Sequence, residues 1–565
     1  MTFTPPTDEM MFILRDVLDI GQLASFKDDT LDMEMTAAIL EEGGKLAADV
    51  LAPLNHSGDQ QGCTLSDGEV TTPKGFKEAY NTFIENGWNG VPFEPEYGGQ
   101  GLPWALTFAL YDMWQAGNMA FCLCPMLTQA GVEALQVYGT DHQKTAYLEK
   151  LVSGEWTGTM QLTEPQAGTD LGALRTKAEP QGDGTYKIFG QKIYITYGEH
   201  DWTDNIIHMV LAKLPDAPEG SRGISMFLVP KFLEDGTRND AYAVGLEHKL
   251  GIHASPTCTM QYGDNGGAVG YLIGAENEGL KNMFVMMNNA RLAVGLQGVA
   301  LGERAYQHAK AYAADRIQSA HIADRDGGAV AIEKHPDVRR MLLSMQAKVC
   351  AGRLLALDAG IALDKAKEGD TAALAKVNLL TPIVKAWCTD MANDVAGTGV
   401  QVHGGMGFIE ETGAAQFVRD ARILTIYEGT NGIQAQDLYG QKTVRDKGAA
   451  TLAWIEEAHK QLGALPSNAH KATLSDGLDT LDDLMKAMLS YAPAEGAAVS
   501  VPYLQYFGTL AGAVLLGQAA HAQTEDAAMT AQFAKLFDFY MLHVFPVCKG
   551  LSETVINGAS IVNQD

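Results

Sequence analysis

The chain has 565 residues, 46% of them hydrophobic and 19% charged, with a formal net charge of −28 at pH 7. That length predicts several domains around a large core. The acidic balance excludes a nucleic-acid or anionic-membrane surface, since either needs a basic footprint and no long Lys/Arg run supplies one.

The seven cysteines are scattered without a C-x-x-C pair, which argues against a disulfide framework or a metal site and for a reducing compartment. The first residues, MTFTPPTDEMMFILRDVLD, lack the positive region and small-residue cleavage site of a signal peptide, and they are too acidic for a transit peptide. IVNQD at the other end is no peroxisomal address, so the expected location is cytoplasmic. Apolar stretches such as 507–520 contain Gly and Thr and fall short of the ~18–20 residues of a membrane span.

Residues 1–157 read as an N-terminal helical domain. After Pro5 and Pro6, the run Met10, Met11, Ile13, Leu14, Val17 and Leu18 keeps a helical spacing, as do Met35, Ile39, Leu46 and Val50. Two polar, glycine-rich segments, 55–73 and 91–103, read as loops. In 158–282 the pattern turns strand-like: TYKIFGQKIYITYG, IIHMVLAKL and GISMFLVP are β-branched and aromatic runs bounded by Gly, Asp and Pro, which predicts a middle β domain.

From 283 to 445 Ala, Leu and Met return to i, i+3, i+4 spacing, as in DVRRMLLSMQAKVCAGRLLALDAGIAL, and a bundle of antiparallel helices is predicted. After the polar junction KTVRDKGA, residues 446–565 are again helical in pattern and predict an additional C-terminal helical domain. The fold class is α+β, with no internal repeat of fixed period.

The segment most suggestive of chemistry is TIYEGTNGIQAQD, 425–437. Glu428, followed directly by Gly429, sits where the backbone can turn away and leave both its side chain and its own N–H open to a ligand. Ile426 and Tyr427 beside it favour desolvation, which raises a carboxyl pKa towards the range of a useful base. The plainer reading is a helix-end glutamate in a surface turn.

Other segments decide between the two. MQLTEPQAGTDLGALRTKA (160–178) followed by GQKIYITYG (190–198) resembles the flavin-binding region of the acyl-CoA dehydrogenases. QVHGGMGF (401–408) and RDARILTIYEGTNGIQ (419–434) resemble later segments of the same family, in the same order. PEYGGQGL (95–102) and KLGIHASPTC (249–258) extend the resemblance, which covers roughly residues 32–438. The extra N-terminal region and the C-terminal domain are similar to the long bacterial branch that includes enzymes of 3-(methylthio)propanoyl-CoA.

The resemblance implies FAD as cofactor and Glu428 as the base that removes the α-proton of an acyl-CoA thioester, while the β-hydrogen leaves as hydride to the flavin and a trans-2-enoyl-CoA forms. It places Met160, Leu162, Thr163 and Thr169 along the flavin and the thioester arm, with Tyr194 and Thr196 on the adjoining strand. Gln401, Gly404 and Gly405 would meet the pyrophosphate and ribityl groups, largely of a neighbouring subunit, as would Arg316. Thr430 and Asn431 would contact the cofactor, and Asn288, Arg291 and Gly429 the substrate, with Arg291 also orienting the ionised base. Taken alone, the 163–170 loop is equally a Thr-capped turn, the Tyr-Ile-Thr strand β core, QVHGG a helix cap and Arg291 a surface arginine.

Two departures stand out. DRIQSAHIADRDGG (315–328) lacks the aromatic residue that commonly follows the arginine and carries an insertion, and Gly432 stands where relatives often have a polar side chain. His335 reads as a surface histidine sooner than a cofactor contact, and His403 as structural.

The implied partners are an acyl-CoA, an electron-transfer flavoprotein and a second copy of the chain, as a homodimer. 3-(Methylthio)propanoyl-CoA is the leading substrate, with short- to long-chain acyl-CoA thioesters as the alternative. An acyl-CoA oxidase would share fold and base. A DNA-binding flavoprotein would need a basic C-terminal surface, and a purely structural scaffold would not need the glycine-rich segments.

Overall fold

Residues 2–28 and 30–563 are described by a computed structural model. They fall into two units, one of Met1–Ala48, Pro103–Gly117 and Arg291–Asp565, the other of Asp49–Leu102 and Asn118–Ala290.

The second unit holds the sheet. Part of the segment predicted as loop is the helix Ala52–Gln61 and a hairpin of β1 (Thr64–Ser66) and β2 (Glu69–Thr71). Asp67 and Gly68 both have positive φ at its tip, +53° and +83°, the conformation that lets a two-residue turn follow the twist of its strands. The main sheet contains β3 (Thr157–Gln161), β4 (Lys177–Pro180), β5 (Thr185–Thr196), β6 (Ile206–Lys213), β7 (Ile224–Pro230), β8 (Ala241–Leu246), β9 (Thr257–Tyr262) and β10 (Ala268–Ile273). Among the described residues its order is β10-β7-β6-β4-β5-β9-β8, with β3 parallel to β6. Because β10 also pairs with β5, the path β5-β4-β6-β7-β10 closes on itself. Ile188, Val210, Phe227, Val229, Met260 and Tyr262 fill its core.

The long strand β5 changes partners along its length, pairing with β4 and β10 first and with β9 later. An irregularity between Lys192 and Ile195 marks the change. There Tyr194 has φ +60° and is 60% exposed, so the bulge turns a large aromatic side chain out to solvent.

The first unit is helical. Helix α1 (Trp104–Tyr138), which crosses the unit boundary, is broken at Asn118. By length and composition it is apolar enough to cross a membrane, but that stretch is largely buried inside the fold. The bundle follows in α2 (Gly279–Asp315), α3 (Pro336–Lys367), α4 (Thr371–His403), α5 (Ala414–Leu424) and α6 (Asn431–Tyr439).

Small residues let α2 and α4 approach closely. A Cβ on Gly295 would lie 2.4 Å from Val384 Cγ1, and one on Gly298 2.4 Å from the Cys388 carbonyl oxygen. This register puts Lys385 beside Gly295, about one turn along α2 from Arg291. In the C-terminal segment, α7 (Ser500–Ala520) is almost wholly buried. Its Gly508 lies against the Trp387 ring, and Trp387 Nε1 donates to Thr509 Oγ1 at 3.1 Å. The insertion after Arg316 is a second hairpin, β11 (Ile317–Ala320) with β12 (Ala329–Ala331).

Candidate active site

Helix α5 ends at Leu424 and α6 begins at Asn431, and the turn between them carries Glu428. Glu428 has φ +55° and Gly429 φ +86°. A non-glycine residue held in the left-handed region costs on the order of 1–3 kcal/mol, so its surroundings must hold it there.

Three side chains do so from the carbonyl side, through four hydrogen bonds. Arg291 Nε donates to the Glu428 carbonyl at 3.4 Å and Lys385 Nζ to the Gly429 carbonyl at 2.8 Å. Gln434 Nε2 reaches both carbonyls at 3.2 Å. Asn431 Nδ2 donates to the Asp390 carboxylate at 2.8 Å and to Ala386 O at 3.1 Å, tying the start of α6 to α4. With the carbonyls drawn inward, the Glu428 N–H has no acceptor among the described residues, and its carboxylate makes no hydrogen bond or ion pair among them.

Burial pushes the Glu428 carboxyl above its ordinary pKa, and the nearby cations Arg291 and Lys385 pull it partly back. Lys385, wholly buried on α4, is pushed down to about 7 by its own desolvation, against the attraction of Glu428 and Asp390. The Tyr427 phenol donates to Gln297 Oε1, and burial and then Glu428 raise it well above its usual pKa. A half-buried carboxylate with free lone pairs, beside its own free N–H, is an arrangement for removing a proton next to a carbonyl whose oxygen that N–H can polarise.

Arg291 is buried, and its Nη1 lies 3.6 Å from Asp437 on α6. Asn288, one turn earlier on α2, is exposed. Thr430 caps α6, its Oγ1 accepting from Ile433 N at 3.3 Å. The Asn431 amide is fully engaged: besides Asp390 and Ala386, its Oδ1 accepts from Lys385 Nζ at 2.9 Å. That side chain holds the turn.

In the sheet unit, Met160 is buried at the end of β3, Leu162 and Thr163 are half-buried, and Thr169 is exposed in the loop that follows. Thr196 ends β5 opposite Thr257. The loop is organised by a residue not expected to matter, Glu164. Its carboxylate accepts from Lys192 Nζ at 2.8 Å, Arg175 N at 2.6 Å, and Thr176 N and Oγ1 at 3.1 and 2.6 Å. Burial opposes ionisation of Glu164, but Lys192 and these donors prevail and hold it down to about 2. Lys192 Nζ also donates to Leu162 O at 3.0 Å, and Ile193 N to Thr163 O at 2.9 Å, so the start of the loop is tied to β5 and Glu164 ties the far end to it.

The space over this loop is open. No heavy atom would lie within 4 Å of a Cβ on Gly168. The same holds at Gly404, where φ is +61°, and at Gly405, just beyond the exposed Gln401 at the end of α4. Arg316, exposed at the end of α2, has no ion pair among the described residues. Within the sheet unit, open Gly168 with exposed Tyr194 and Thr169 leaves room for a planar ring; within the helical unit, open Gly404 and Gly405 and the guanidinium of Arg316 are of a chemistry that suits a diphosphate. His335 is instead held by its own hairpin, Nε2 donating to Gln318 O at 2.7 Å. His403 is buried and stacks between Tyr312 and His308, with ring centroids 4.4 and 4.6 Å away.

Lys385 and the Glu164–Lys192 pair escaped the sequence reading. For Lys385 a signal existed, a lone cation inside the apolar run TPIVKAWC. The Glu164–Lys192 pair joins residues 28 apart and leaves no local pattern.

Comparison with known proteins bears on the same segments. Models of the N-terminal, middle and C-terminal domains of acyl-CoA dehydrogenase match residues 34–155, 159–264 and 277–441, and an acetyl-CoA dehydrogenase C-terminal-like model matches 448–564. The chain is 46% identical to the 3-methylmercaptopropionyl-CoA dehydrogenase of Ruegeria pomeroyi, over 94% of this chain and 92% of the relative. It is 37% identical to a butyryl-CoA dehydrogenase of Syntrophomonas wolfei, over 80% and 77%. In structure it is similar to an acyl-CoA dehydrogenase complexed with FAD from Bacillus anthracis, with TM-score 0.78 at 20% identity, covering 97% of this chain and 92% of that one.

Proposed function

This chain belongs to the acyl-CoA dehydrogenase family, and from that premise we propose that it is the FAD-dependent α,β-dehydrogenase of a short acyl-CoA, 3-(methylthio)propanoyl-CoA, with electrons leaving to an electron-transfer flavoprotein. The observation that carries the chemistry is the Glu428 turn, whose carboxylate and N–H are both free among the described residues. The substrate rests on the 46% identity to the Ruegeria enzyme along nearly its whole length.

The thioester carbonyl oxygen accepts from the Glu428 N–H, which lowers the pKa of the adjacent Cα–H. The Glu428 carboxylate takes the α-proton, and its raised pKa makes it a stronger base than an exposed glutamate. Arg291 and Lys385 hold the turn that aims it. Met160, Leu162, Thr163, Thr169, Tyr194 and Thr196 are assigned to the cofactor from the sheet unit. Gln401, Gly404, Gly405, Arg316 and Thr430 are assigned to it from the helical unit, with Asn431 acting through the turn. Bound FAD supplies the two-electron acceptor for the β-hydrogen. Gly429 leaves room along the backbone for the thioester, and Asn288 and Thr169 are assigned to the acyl-CoA.

A second copy is expected to share the cofactor. Met406, Phe408 and Ile409, next to the Gln401–Gly405 segment, are 50%, 83% and 45% exposed, an apolar cluster of the kind that self-association covers. Light scattering should give a homodimer.

The test is dye-linked kcat/KM for 3-(methylthio)propanoyl-, butanoyl-, octanoyl- and palmitoyl-CoA, with Glu428→Gln as control. Near-normal turnover by Glu428→Gln would sink the base. Preference for butanoyl-CoA would place the chain with the Syntrophomonas relatives instead, and preference for palmitoyl-CoA would sink the short-chain assignment.

A further inference from the structure

Lys385 holds the turn from a neighbouring helix, and no segment that carries the family resemblance contains it. It is wholly buried on α4, one turn beyond Pro382, and its Nζ donates to Gly429 O at 2.8 Å and to Asn431 Oδ1 at 2.9 Å. The bonds continue away from the turn. Asn431 Nδ2 donates to Asp390 Oδ1 at 2.8 Å, and Gln505 Nε2, on the C-terminal helix α7, donates to Asp390 Oδ2 at 2.5 Å. A continuous polar chain therefore runs through an apolar helix interface from the C-terminal segment to the residue after Glu428. Burying an ammonium is expensive unless it is paired, and hydrophobic residues would pack this interface more simply.

We propose that Lys385 is the positioning residue of the site: its ammonium fixes the Gly429 carbonyl, and with it the aim of the Glu428 carboxylate and N–H, while Gln505 fixes the Asp390–Asn431 end of the same chain. This rests on Glu428 being the base. It also gives the C-terminal helical segment a part in the chemistry, since α7 supplies the far end of the brace.

Two consequences separate positioning from mere packing. The first is geometric. Without Lys385 the Gly429 carbonyl keeps only Gln434, and the left-handed Glu428 loses half of what holds its neighbour in place. The second is electrostatic. The charged and titratable groups facing Glu428 are Arg291 and Lys385, with the Tyr427 phenol adjacent; those facing Lys385 are Glu428, Asp390 and Arg291. Removing the Lys385 cation takes away one of the two charges that favour the ionised carboxylate, so the base must bind its proton more tightly.

The experiment compares wild type, Lys385→Met, Lys385→Gln, Gln505→Leu and Glu428→Gln holoenzymes, measuring kcat and KM from pH 5 to 9 together with flavin absorbance and Tm. For Lys385→Met we expect kcat to fall about 10-fold or more and the acid limb of the pH profile to move up by about one unit. Lys385→Gln, which keeps a donor without the charge, should show the same limb shift with a smaller loss of kcat. Gln505→Leu should lower kcat less, with the limb unmoved. A structural role alone would lower Tm and flavin content without moving the limb.

Folded Lys385 variants with wild-type kcat and an unmoved limb overturn the proposal. If Lys385→Met does not fold, Lys385→Gln decides by the same criteria. If neither folds, Gln505→Leu decides: wild-type kcat overturns the brace and a reduced kcat supports it. An active Glu428→Gln would instead mean that the base is wrong, which separates that failure from this one.

Discussion

Arg291 reaches Glu428 at its main-chain carbonyl, Nε to O 3.4 Å, and leaves the carboxylate unpaired. A carboxylate locked in a direct ion pair is a poor base, because proton uptake would have to break the pair. Contact through the carbonyl fixes the backbone and lowers the carboxyl pKa by charge alone, with the lone pairs still free. A second tie, Arg291 Nη1 to Asp437 at 3.6 Å, anchors the guanidinium on α6, so the arginine spans the turn from Glu428 to the helix beyond it.

Arg291→Gln should therefore impair both aim and charge. Loss of a charge-assisted hydrogen bond, worth about 1.5–3 kcal/mol, corresponds to a fall in kcat/KM of about 10- to 100-fold. The acid limb should move to higher pH, since one of the cations favouring ionised Glu428 is gone. Stopped-flow reduction of the flavin by substrate across pH 5–9 measures both effects.

Glu428 itself makes a prediction about stability. Its folded pKa is raised above its unfolded value, so the stability it contributes is present below the unfolded pKa, ~4.3, and is lost as pH rises through the folded value. Above that value the fold carries an ionised, partly desolvated carboxylate. Glu428→Gln removes the burden and should raise Tm by about 1–2 °C at pH 8, with the gain fading towards pH 4. A gain largest at low pH would contradict the raised pKa.

Much of this was visible in the residues, for identifiable reasons. A short, near-continuous apolar run such as IIHMVLAKL, with β-branched residues and the length of a strand, becomes β6 (Ile206–Lys213), which is buried along nearly its whole length. The Glu428–Gly429 turn was legible because a glycine after a glutamate marks backbone that leaves the helix. The β1–β2 hairpin was missed although Asp67–Gly68 is a hairpin signal, because its strands are only three residues long each. What stayed hidden is non-local. Lys385 touches Gly429 across 44 residues and Gln505 touches Asp390 across 115, and no period along the chain encodes such pairs.

Glu164 offers a test at the flavin loop. Its folded pKa is depressed to about 2, so its stability is present above the unfolded pKa, ~4.3, and is lost as pH falls through about 2. At pH 7 it is therefore fully present. Glu164→Gln leaves the Lys192 ammonium buried without a counter-charge and weakens the bonds to Arg175 and Thr176. Breaking one side of a buried pair costs about 3–5 kcal/mol. Purified Glu164→Gln should have a lower Tm and a reduced ratio of flavin to protein absorbance, and Glu164→Gln with Lys192→Met should recover part of the Tm. A double variant no better than the single one would mean that the bare ammonium is not what destabilises the fold.

Gly508 tests whether the C-terminal helix α7 acts on the site through packing as well as through Gln505. An alanine Cβ there would lie 2.5 Å from the Trp387 ring, against the backbone-proximal part of a buried indole that has little room to move. In an exposed helix Gly→Ala gains about 1 kcal/mol. Here overpacking, about 1–3 kcal/mol, should outweigh that gain, so Gly508→Ala should lower Tm. Trp387 is two residues from Lys385 on α4 and donates to Thr509 on α7, so a shift of the indole is passed to the segment that holds Gly429. Gly508→Ala should therefore lower kcat as well. A fall in Tm with wild-type kcat would show that α7 stabilises the bundle without tuning the turn that carries Glu428.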